Sequence, residues 1–155
     1  TGTTLDEMKD EAEKEAGIFR FWVGWFIDAT KLGFITTAQL SKKYTCAVTS
    51  IFTPAQAMVA HVSGARFALY YHNRAKRLLK NGEALASELV RVLKHTDTRV
   101  VAASLKNPEE VVEARAAGVS ILSTNFGVLD QMMKHDLSEA ALDEFNRSGT
   151  GLLKQ

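Results

Sequence analysis

The sequence is poor in the features that mark several protein classes. Its single cysteine, Cys46, excludes an internal disulfide framework and is typical of a reducing compartment. Two prolines and ten glycines in 155 residues exclude collagen-like and low-complexity chains. The most apolar run, residues 18–27, contains Arg20 and is far shorter than the roughly 20 residues that a membrane-spanning helix needs. Nineteen basic against eighteen acidic residues give a net charge of +1, which offers no electrostatic basis for binding nucleic acid or an anionic membrane.

These exclusions predict a single-domain intracellular protein, and 46% hydrophobic residues suffice for one core. Residues 1–17 are acidic and polar, unlike a signal or transit peptide. We expect Cys46, early in an apolar run, to be a small buried hydrophobe. The four histidines are scattered without metal-ligand spacing, so we expect no metal site and no cofactor. His72 is expected on the surface or in a loop.

Helix-start signals recur along the chain. Residues 4–7 have the spacing of a capping box, and Thr53-Pro54 and Asn107-Pro108 each place a capping side chain before a proline. Gly64 and Gly118 follow as stop signals. A last helix is expected from Asp136 to about Asn146. Residues 148–155 are expected to form a tail.

Short apolar segments lie between the predicted helices. They are continuous rather than alternating, as strands covered on both faces should be. They span residues 46–51, 65–70, 99–103 and 119–122. The aromatic stretch at residues 18–27 fits a buried strand, a helix on the sheet or a covered partner patch, with the core favoured. Alternation of strands and helices predicts parallel α/β structure, either a doubly wound sheet or part of a (β/α)8 barrel.

In either architecture the functional residues belong where the strands end. Polar residues follow the predicted strands at each such point. An arginine and a serine at neighbouring strand ends, with free backbone N–H groups at helix starts, suit a phosphate monoester. The polar segments are Thr49-Ser50, residues 71–74, residues 104–107 and residues 123–125.

Three motifs in order carry a resemblance to a known family: TSIFTPAQ from Thr49, YHNR from Tyr71, and AASLKNP from Ala102. From about Lys31 to Phe145 the chain resembles the transaldolase family, closest to the branch of small transaldolases and fructose-6-phosphate aldolases. The resemblance implies a (β/α)8 TIM barrel, of which this chain holds about strands 4 to 8. It also implies one domain over residues 1–155, the C-terminal part of the barrel.

The family forms a Schiff base between a strand-4 lysine and a ketose phosphate. The resemblance implies that Thr49 positions the catalytic water and that Tyr71 serves acid–base chemistry. It assigns the substrate phosphate to Arg74 and Ser104, with Asn73 beside the arginine. Tyr70 adjoins Tyr71, and one of the two must face the helices. The implied ligand is a small sugar phosphate, without nucleic acid or membrane.

The strand-4 segment departs from the family pattern K-[IV]-P-x-T-x-x-G. Phe26 stands at the lysine position and Asp28 at the proline position, and a phenyl ring cannot form an imine. Three interpretations remain open. The chain has diverged and lost the imine chemistry, or it is a truncated or aberrantly spliced product, or the alignment shifts locally and Lys31 takes the nucleophile's place.

The expected function is therefore that of a transaldolase-like sugar-phosphate enzyme of carbohydrate metabolism, in the pentose phosphate pathway and the cytoplasm, with impaired catalysis. The alternative is a non-catalytic binder of sugar phosphates, or an interaction protein, derived from a transaldolase. A partial barrel exposes parallel strand edges, so we also expect a homo-oligomer.

Overall fold

The computed structural model describes residues 19–21 and 24–149 of the chain. Within them a six-stranded sheet follows sequence order, with β1 antiparallel to β2 and each later neighbouring pair parallel. Five successive parallel strands alternating with helices confirm the predicted α/β class and match part of a transaldolase-like barrel. The strands are β1 (Phe19–Phe21), β2 (Gly24–Asp28), β3 (Cys46–Thr49), β4 (Phe67–Tyr71), β5 (Arg99–Leu105) and β6 (Ile121–Thr124).

The described helices connect these strands and continue past β6. They are α1 (Lys31–Leu40), α2 (Pro54–Val62), α3 (His72–Leu78), α4 (Leu85–Val92), α5 (Pro108–Ala116), α6 (Phe126–Met132) and α7 (Asp136–Arg147). The capping box predicted at residues 4–7 lies outside the described residues.

Local capping explains where α2 and α5 begin. The Thr53 hydroxyl accepts from the Gln56 N–H at 3.1 Å, and the Asn107 side chain accepts from the Glu110 N–H at 2.8 Å. A proline follows each cap, where its missing N–H costs no hydrogen bond. Both predicted starts are confirmed. Helix α7 also begins at Asp136 as predicted, and its cap is His135, whose Nδ1 accepts from the Leu137 N–H.

The main core lies between the sheet and the helices. Val48, Ala68, Tyr70 and Ala102 are fully buried there, on neighbouring strands of one sheet face. Because side chains alternate along a strand, the intervening positions face the other side of the sheet. Residues on that other face include Phe26, Asp28, Ala47, Thr49, Leu69 and Tyr71.

The aromatic stretch at residues 18–27 supplies the antiparallel pair β1 and β2. Trp25 is 9% exposed and forms a small core with Ile27, Leu40 and Cys46. The burial of Trp25 and Ile27 agrees with the interpretation of this stretch as core. Residues 22 and 23 lie outside the described residues. Cys46 is fully buried, as predicted, and burial raises the pKa of its thiol to about 11.

Candidate functional site at the carboxyl ends of the strands

The polar residues predicted from the strand ends do lie at one edge of the sheet. Asp28, Thr49 and Tyr71 are the last residues of β2, β3 and β4, and Ser104 is the penultimate residue of β5. Because these four strands are parallel, their carboxyl ends meet at the same edge. That edge is where barrel proteins bind their ligands.

Tyr71 and Arg74 form one part of this edge. The guanidinium carbon of Arg74 lies 5.0 Å from the centroid of the Tyr71 ring, a cation–π contact. Arg74 is exposed and makes no ion pair with any residue that the structure describes. The choice between adjacent tyrosines is also resolved, because Tyr70 is fully buried against the helices and Tyr71 is half-buried on the opposite face.

Ser104 lies in an irregular stretch of β5. Pairing with β6 shifts register between Ala102 and Leu105, and Ser104 has a left-handed backbone with φ of 59°. A bulge of this kind redirects a side chain and is common beside ligand sites. The Ser104 hydroxyl has no hydrogen-bond partner within residues 19–21 and 24–149, so it is available to a ligand.

Asn73 is placed beside Arg74, but its amide is already engaged. Its Nδ2 donates to Glu110 at 2.7 Å, and its Oδ1 accepts from Arg77 at 3.1 Å. The other Glu110 oxygen accepts from the Lys106 N–H at 2.8 Å. Glu110, which is 5% exposed, therefore ties the start of α3 to the loop that follows Ser104.

Thr49, Asp28 and Ser50 form a second polar group at the same edge, which we call the Asp28 cluster. The Thr49 hydroxyl donates to Asp28 Oδ1 at 2.7 Å, and the Ser50 hydroxyl donates to the same oxygen at 3.2 Å. Ser50 has a left-handed φ of 59°, and β3 ends one residue before it, earlier than the predicted Ile51. The sequence showed two hydroxyl residues after a strand, but nothing in it indicated Asp28 as their common acceptor.

Phe26 and Lys31 occupy separate positions around β2. Phe26 is half-buried and pairs with Ala47, on the same strand face as Asp28. Lys31 is the exposed first residue of α1, a helix start as expected. Gly33 holds this helix close to β2, because a Cβ there would collide with the Asp28 carbonyl oxygen.

His72 is buried, with 2% of its surface exposed, so the expectation of a surface or loop histidine was wrong. Glu113 Oε2 accepts from Lys76 at 2.7 Å and from His72 Nε2 at 3.1 Å, and His72 Nδ1 lies 3.0 Å from the Tyr70 hydroxyl. Because a carboxylate only accepts, His72 donates from Nε2 to Glu113. Polar partners on both ring nitrogens allow the burial.

The same contacts shift three pKa values. Hydrogen bonds from Lys76 and then His72 lower the pKa of Glu113. The bond to Glu113 raises the pKa of Lys76. Burial, with Glu113 as a smaller contribution, raises the pKa of Tyr70 well above its usual range. This network joins α3 to α5 on the helix side of the sheet, away from the strand-end residues.

The part of the chain that the structure describes contains neither a metal-binding cluster nor a membrane-spanning helix. No group of three or more His, Cys, Asp or Glu side chains is arranged to hold a metal ion. No helix within residues 19–21 and 24–149 is long and apolar enough to cross a membrane.

The parallel strands follow one another in sequence order with helices between them, and this arrangement is consistent with part of a (β/α) barrel. The family model described as Transaldolase/Fructose-6-phosphate aldolase matches residues 27–153. The chain belongs to this family. Phe26 lies immediately before the matched residues.

Curated relatives agree with the family assignment. A probable transaldolase of Desulfatibacillum aliphaticivorans is 35% identical over 146 residues, covering 92% of this chain and 68% of the relative. One of Symbiobacterium thermophilum is 34% identical over 143 residues, covering 90% and 66%. One of Caldicellulosiruptor saccharolyticus is 36% identical over 101 residues, covering 63% and 46%. The aligned part of this chain thus spans about half to two thirds of the length of these relatives.

Proposed function

We propose that this chain is a transaldolase-like sugar-phosphate protein of carbohydrate metabolism whose Schiff-base chemistry is impaired. Its ligand is a small sugar phosphate bound at the carboxyl ends of β2 to β5. The observation that carries this proposal is Arg74, exposed over the Tyr71 ring and without an ion pair among the described residues, at the same sheet edge as the Ser104 hydroxyl. A guanidinium and a hydroxyl donor together suit a phosphate monoester.

Asn73, Tyr71 and Thr49 have different roles in the proposed site. Asn73 supports phosphate binding by holding the start of α3 against Glu110, which keeps Arg74 at the strand end. Tyr71 offers a phenolic proton beside Arg74, and Thr49 offers a hydroxyl at the next strand end. In the family's chemistry these two would handle the proton and the water.

Impairment follows from Phe26. An imine requires a nitrogen nucleophile, and Phe26 provides none at the position where the family pattern has its lysine. Lys31 lies at the start of α1 rather than on the strand face that carries Phe26 and Asp28.

Borohydride trapping tests this proposal. The protein is incubated with fructose 6-phosphate or dihydroxyacetone, reduced, digested and analysed by mass spectrometry. We expect no lysine adduct, while fructose 6-phosphate still binds. An adduct on Lys31 would show that the nucleophile has moved, and would overturn the impairment.

A second candidate is a binder of sugar phosphates without any catalytic step, and the Phe26 side chain favours it. The two candidates differ in turnover. Release of glyceraldehyde 3-phosphate from fructose 6-phosphate, followed with a coupled dehydrogenase, would support residual catalysis. Binding without release would support the binder.

Assembly and location complete the proposal. The apolar residues of α7 are exposed, with no buried residue anywhere in that helix, which supports a homo-oligomer. The single buried thiol and the family's metabolic role support the cytoplasm and the pentose phosphate pathway.

A further inference from the structure

The Asp28 cluster has an unusual hydrogen-bonding character. Thr49 and Ser50 each have one hydroxyl proton, and both protons point to Asp28 Oδ1. Asp28 Oδ2 has no partner among the residues that the structure describes, and Asp28 is only half-buried. The side chains of the cluster therefore have acceptor atoms left over and no free hydroxyl proton.

A cluster whose side chains can only accept hydrogen bonds favours ligand groups that donate them. A ligand hydroxyl donates to a carboxylate, and such a charge-assisted bond is strong. A carbonyl oxygen or a phosphate oxygen in the same place would face lone pairs and negative charge. The Asp28 cluster thus favours a ligand carbon that carries a hydroxyl over one that carries a carbonyl.

The backbone around the cluster holds it in place. Thr49 is 7% exposed and pairs directly with Asp28 in the sheet. The left-handed backbone of Ser50, with φ of 59°, brings its hydroxyl back toward Asp28. Close packing at Gly33 leaves the end of β2 no room to move toward α1.

The position of the cluster relative to Arg74 sets the orientation of a ligand. Neighbouring strands are about 4.8 Å apart, so the end of β2 lies roughly 10 Å from the end of β4 along the sheet. The part of the edge that contains Arg74 and the Asp28 cluster are therefore separate. A linear molecule with phosphate at one end and hydroxyls at the other matches both.

We propose that Asp28, Thr49 and Ser50 form a hydroxyl-binding subsite that makes this protein selective for phosphorylated acyclic polyols over ketose phosphates. The proposal rests on the proposed function, because Arg74 and Ser104 hold the phosphate. It differs from that function in the group recognised at β2 and β3. Without an amine at Phe26 the site has no use for a carbonyl, and Asp28 disfavours one.

Isothermal titration calorimetry tests the subsite with sorbitol 6-phosphate, fructose 6-phosphate, sorbitol and inorganic phosphate. We expect the wild-type protein to bind sorbitol 6-phosphate about tenfold or more tightly than fructose 6-phosphate, the value of one charge-assisted hydrogen bond. Asp28→Asn keeps the shape but adds a donor, so it should remove most of this preference. Its affinity for inorganic phosphate should change much less than its affinity for sorbitol 6-phosphate, because phosphate alone does not reach the subsite.

Two further variants separate the possible failures. Asp143→Asn changes an exposed carboxylate on α7 and should keep the wild-type preference. Ser50→Ala, which leaves the Asp28 charge in place, should reduce the preference less than Asp28→Asn, and it supplies a second test if Asp28→Asn does not fold. Circular dichroism of each variant checks folding.

Each outcome decides the proposal. Binding that is lost in Arg74→Ala but has the same preference in Asp28→Asn and Ser50→Ala would overturn the subsite and leave the proposed function standing. A wild-type preference for fructose 6-phosphate would also overturn the subsite. No binding of any phosphorylated probe would overturn the proposed function and the subsite together.

Discussion

Phe26 and Asp28 lie two residues apart on one face of β2, and together they change the chemistry at the end of that strand. Phe26 carries no nitrogen nucleophile, and the Asp28 carboxylate accepts hydrogen bonds from two hydroxyl groups. Side chains two positions apart on a strand are separated by roughly 6.6 Å. An amine introduced at position 26 would therefore lie close enough to the Asp28 carboxylate to interact with it electrostatically.

The first prediction concerns Phe26→Lys. Asp28 would stabilise the protonated amine and raise its pKa, whereas imine formation needs the neutral amine. We expect little trapping by borohydride with Phe26→Lys alone, and about tenfold more at neutral pH with Phe26→Lys combined with Asp28→Asn. Trapping yield against pH is the measurement. Equal yields from the single and double variants would contradict the prediction.

The second prediction concerns Ser104→Ala. The Ser104 hydroxyl bonds to none of the described residues, so its removal should change the free energy of unfolding by less than about 0.5 kcal/mol. Fructose 6-phosphate should bind about tenfold more weakly, because a donor to a charged oxygen is lost. Urea unfolding and calorimetry give the two values, with Ser87→Ala on α4 as control. Unchanged binding would remove Ser104 from the site.

At the residue scale, the sequence predicted which polar residues lie at the strand ends better than it predicted their hydrogen-bond partners. Thr49, Tyr71 and Ser104 were found because polar residues after apolar segments mark strand ends. Asp28 was noted only as a departure from a proline, since the hydrogen bonds it accepts come from residues 21 and 22 positions further along the chain. His72 was misjudged because its partner Glu113 is 41 residues away.

Helices α3 and α5 determine how the two parts of the proposed phosphate site meet. Glu110 accepts from Asn73 on α3 and from the Lys106 N–H after β5, while its own N–H donates to Asn107. These bonds are partly buried and surround the Glu110 side chain, which is 5% exposed. The arrangement couples Arg74 to Ser104 although they belong to different strand–helix units.

The third prediction concerns the hydrogen bonds of Glu110. Glu110→Ala leaves the Asn73 amide and the Lys106 N–H without their acceptor, so it should lower the free energy of unfolding by about 2–3 kcal/mol. Affinity for fructose 6-phosphate should fall as well, because α3 loses its anchor. Glu109→Ala, at the exposed neighbouring position, is the matched control. A loss of stability no larger than that of the control would contradict the role of Glu110.

The fourth prediction concerns the Lys76–Glu113–His72 contacts between the same helices. The pKa of Glu113 is lowered below its ordinary 4.5, so its stabilisation is complete above pH 4.5 and is lost as the pH falls through the lowered value. Because the carboxylate is half exposed, the effect should be at most about 1 kcal/mol. Wild type should therefore exceed Glu113→Gln in stability at pH 7, and the difference should shrink toward pH 3.

Urea unfolding at both pH values measures that difference. Glu144→Gln on α7, an exposed position, serves as the control. A difference between wild type and Glu113→Gln that stays constant from pH 7 to pH 3 would exclude the predicted linkage.

Helices that begin at a capping residue and a proline were predictable from the sequence. The pairing between strands was not. Caps and prolines located α2 and α5 because those interactions lie within four residues. The antiparallel pairing of β1 with β2 was missed, since aromatic residues at mixed spacing fit a strand or a helix equally well. The strand ends differ from the predicted ones by two residues at Ser50 and at Ser104, which take left-handed backbones that no local pattern requires.

The described part of the molecule has the candidate site at one edge of the sheet and exposed apolar side chains elsewhere. Helices α6 and α7, with Met133 directly after α6, contribute about half of the exposed large apolar side chains among the described residues. Their exposed apolar side chains are Phe126, Leu129, Met132, Met133, Leu137, Leu142 and Phe145. Patches of this kind mark interaction surfaces in folded proteins. With a net charge of only +1, long-range repulsion between copies is weak.

The fifth prediction is that the protein associates with itself in a concentration-dependent way through this surface. Sedimentation velocity at micromolar concentrations should show species larger than the monomer. Leu137→Glu combined with Leu142→Glu should shift them toward monomer, while Asp143→Asn should not. A single monomeric species for the wild type at all concentrations would contradict the prediction.

The class of fold was accessible from the sequence at this scale because alternating strands and helices admit few architectures. The residues alone left the barrel and the doubly wound sheet both open. Sheet order and register, which bring the ends of β2 to β5 together, follow from long-range packing. The resemblance to a family supplied the choice between the two architectures.

The most direct test of the account is the binding of fructose 6-phosphate to the wild-type chain and to Arg74→Ala, measured by calorimetry at equal ionic strength. We expect saturable binding by the wild type and a loss of about tenfold or more in affinity for Arg74→Ala, since a charged partner of the phosphate is removed. Equal affinities of the two proteins, or no binding by the wild type, would contradict the proposed sugar-phosphate site.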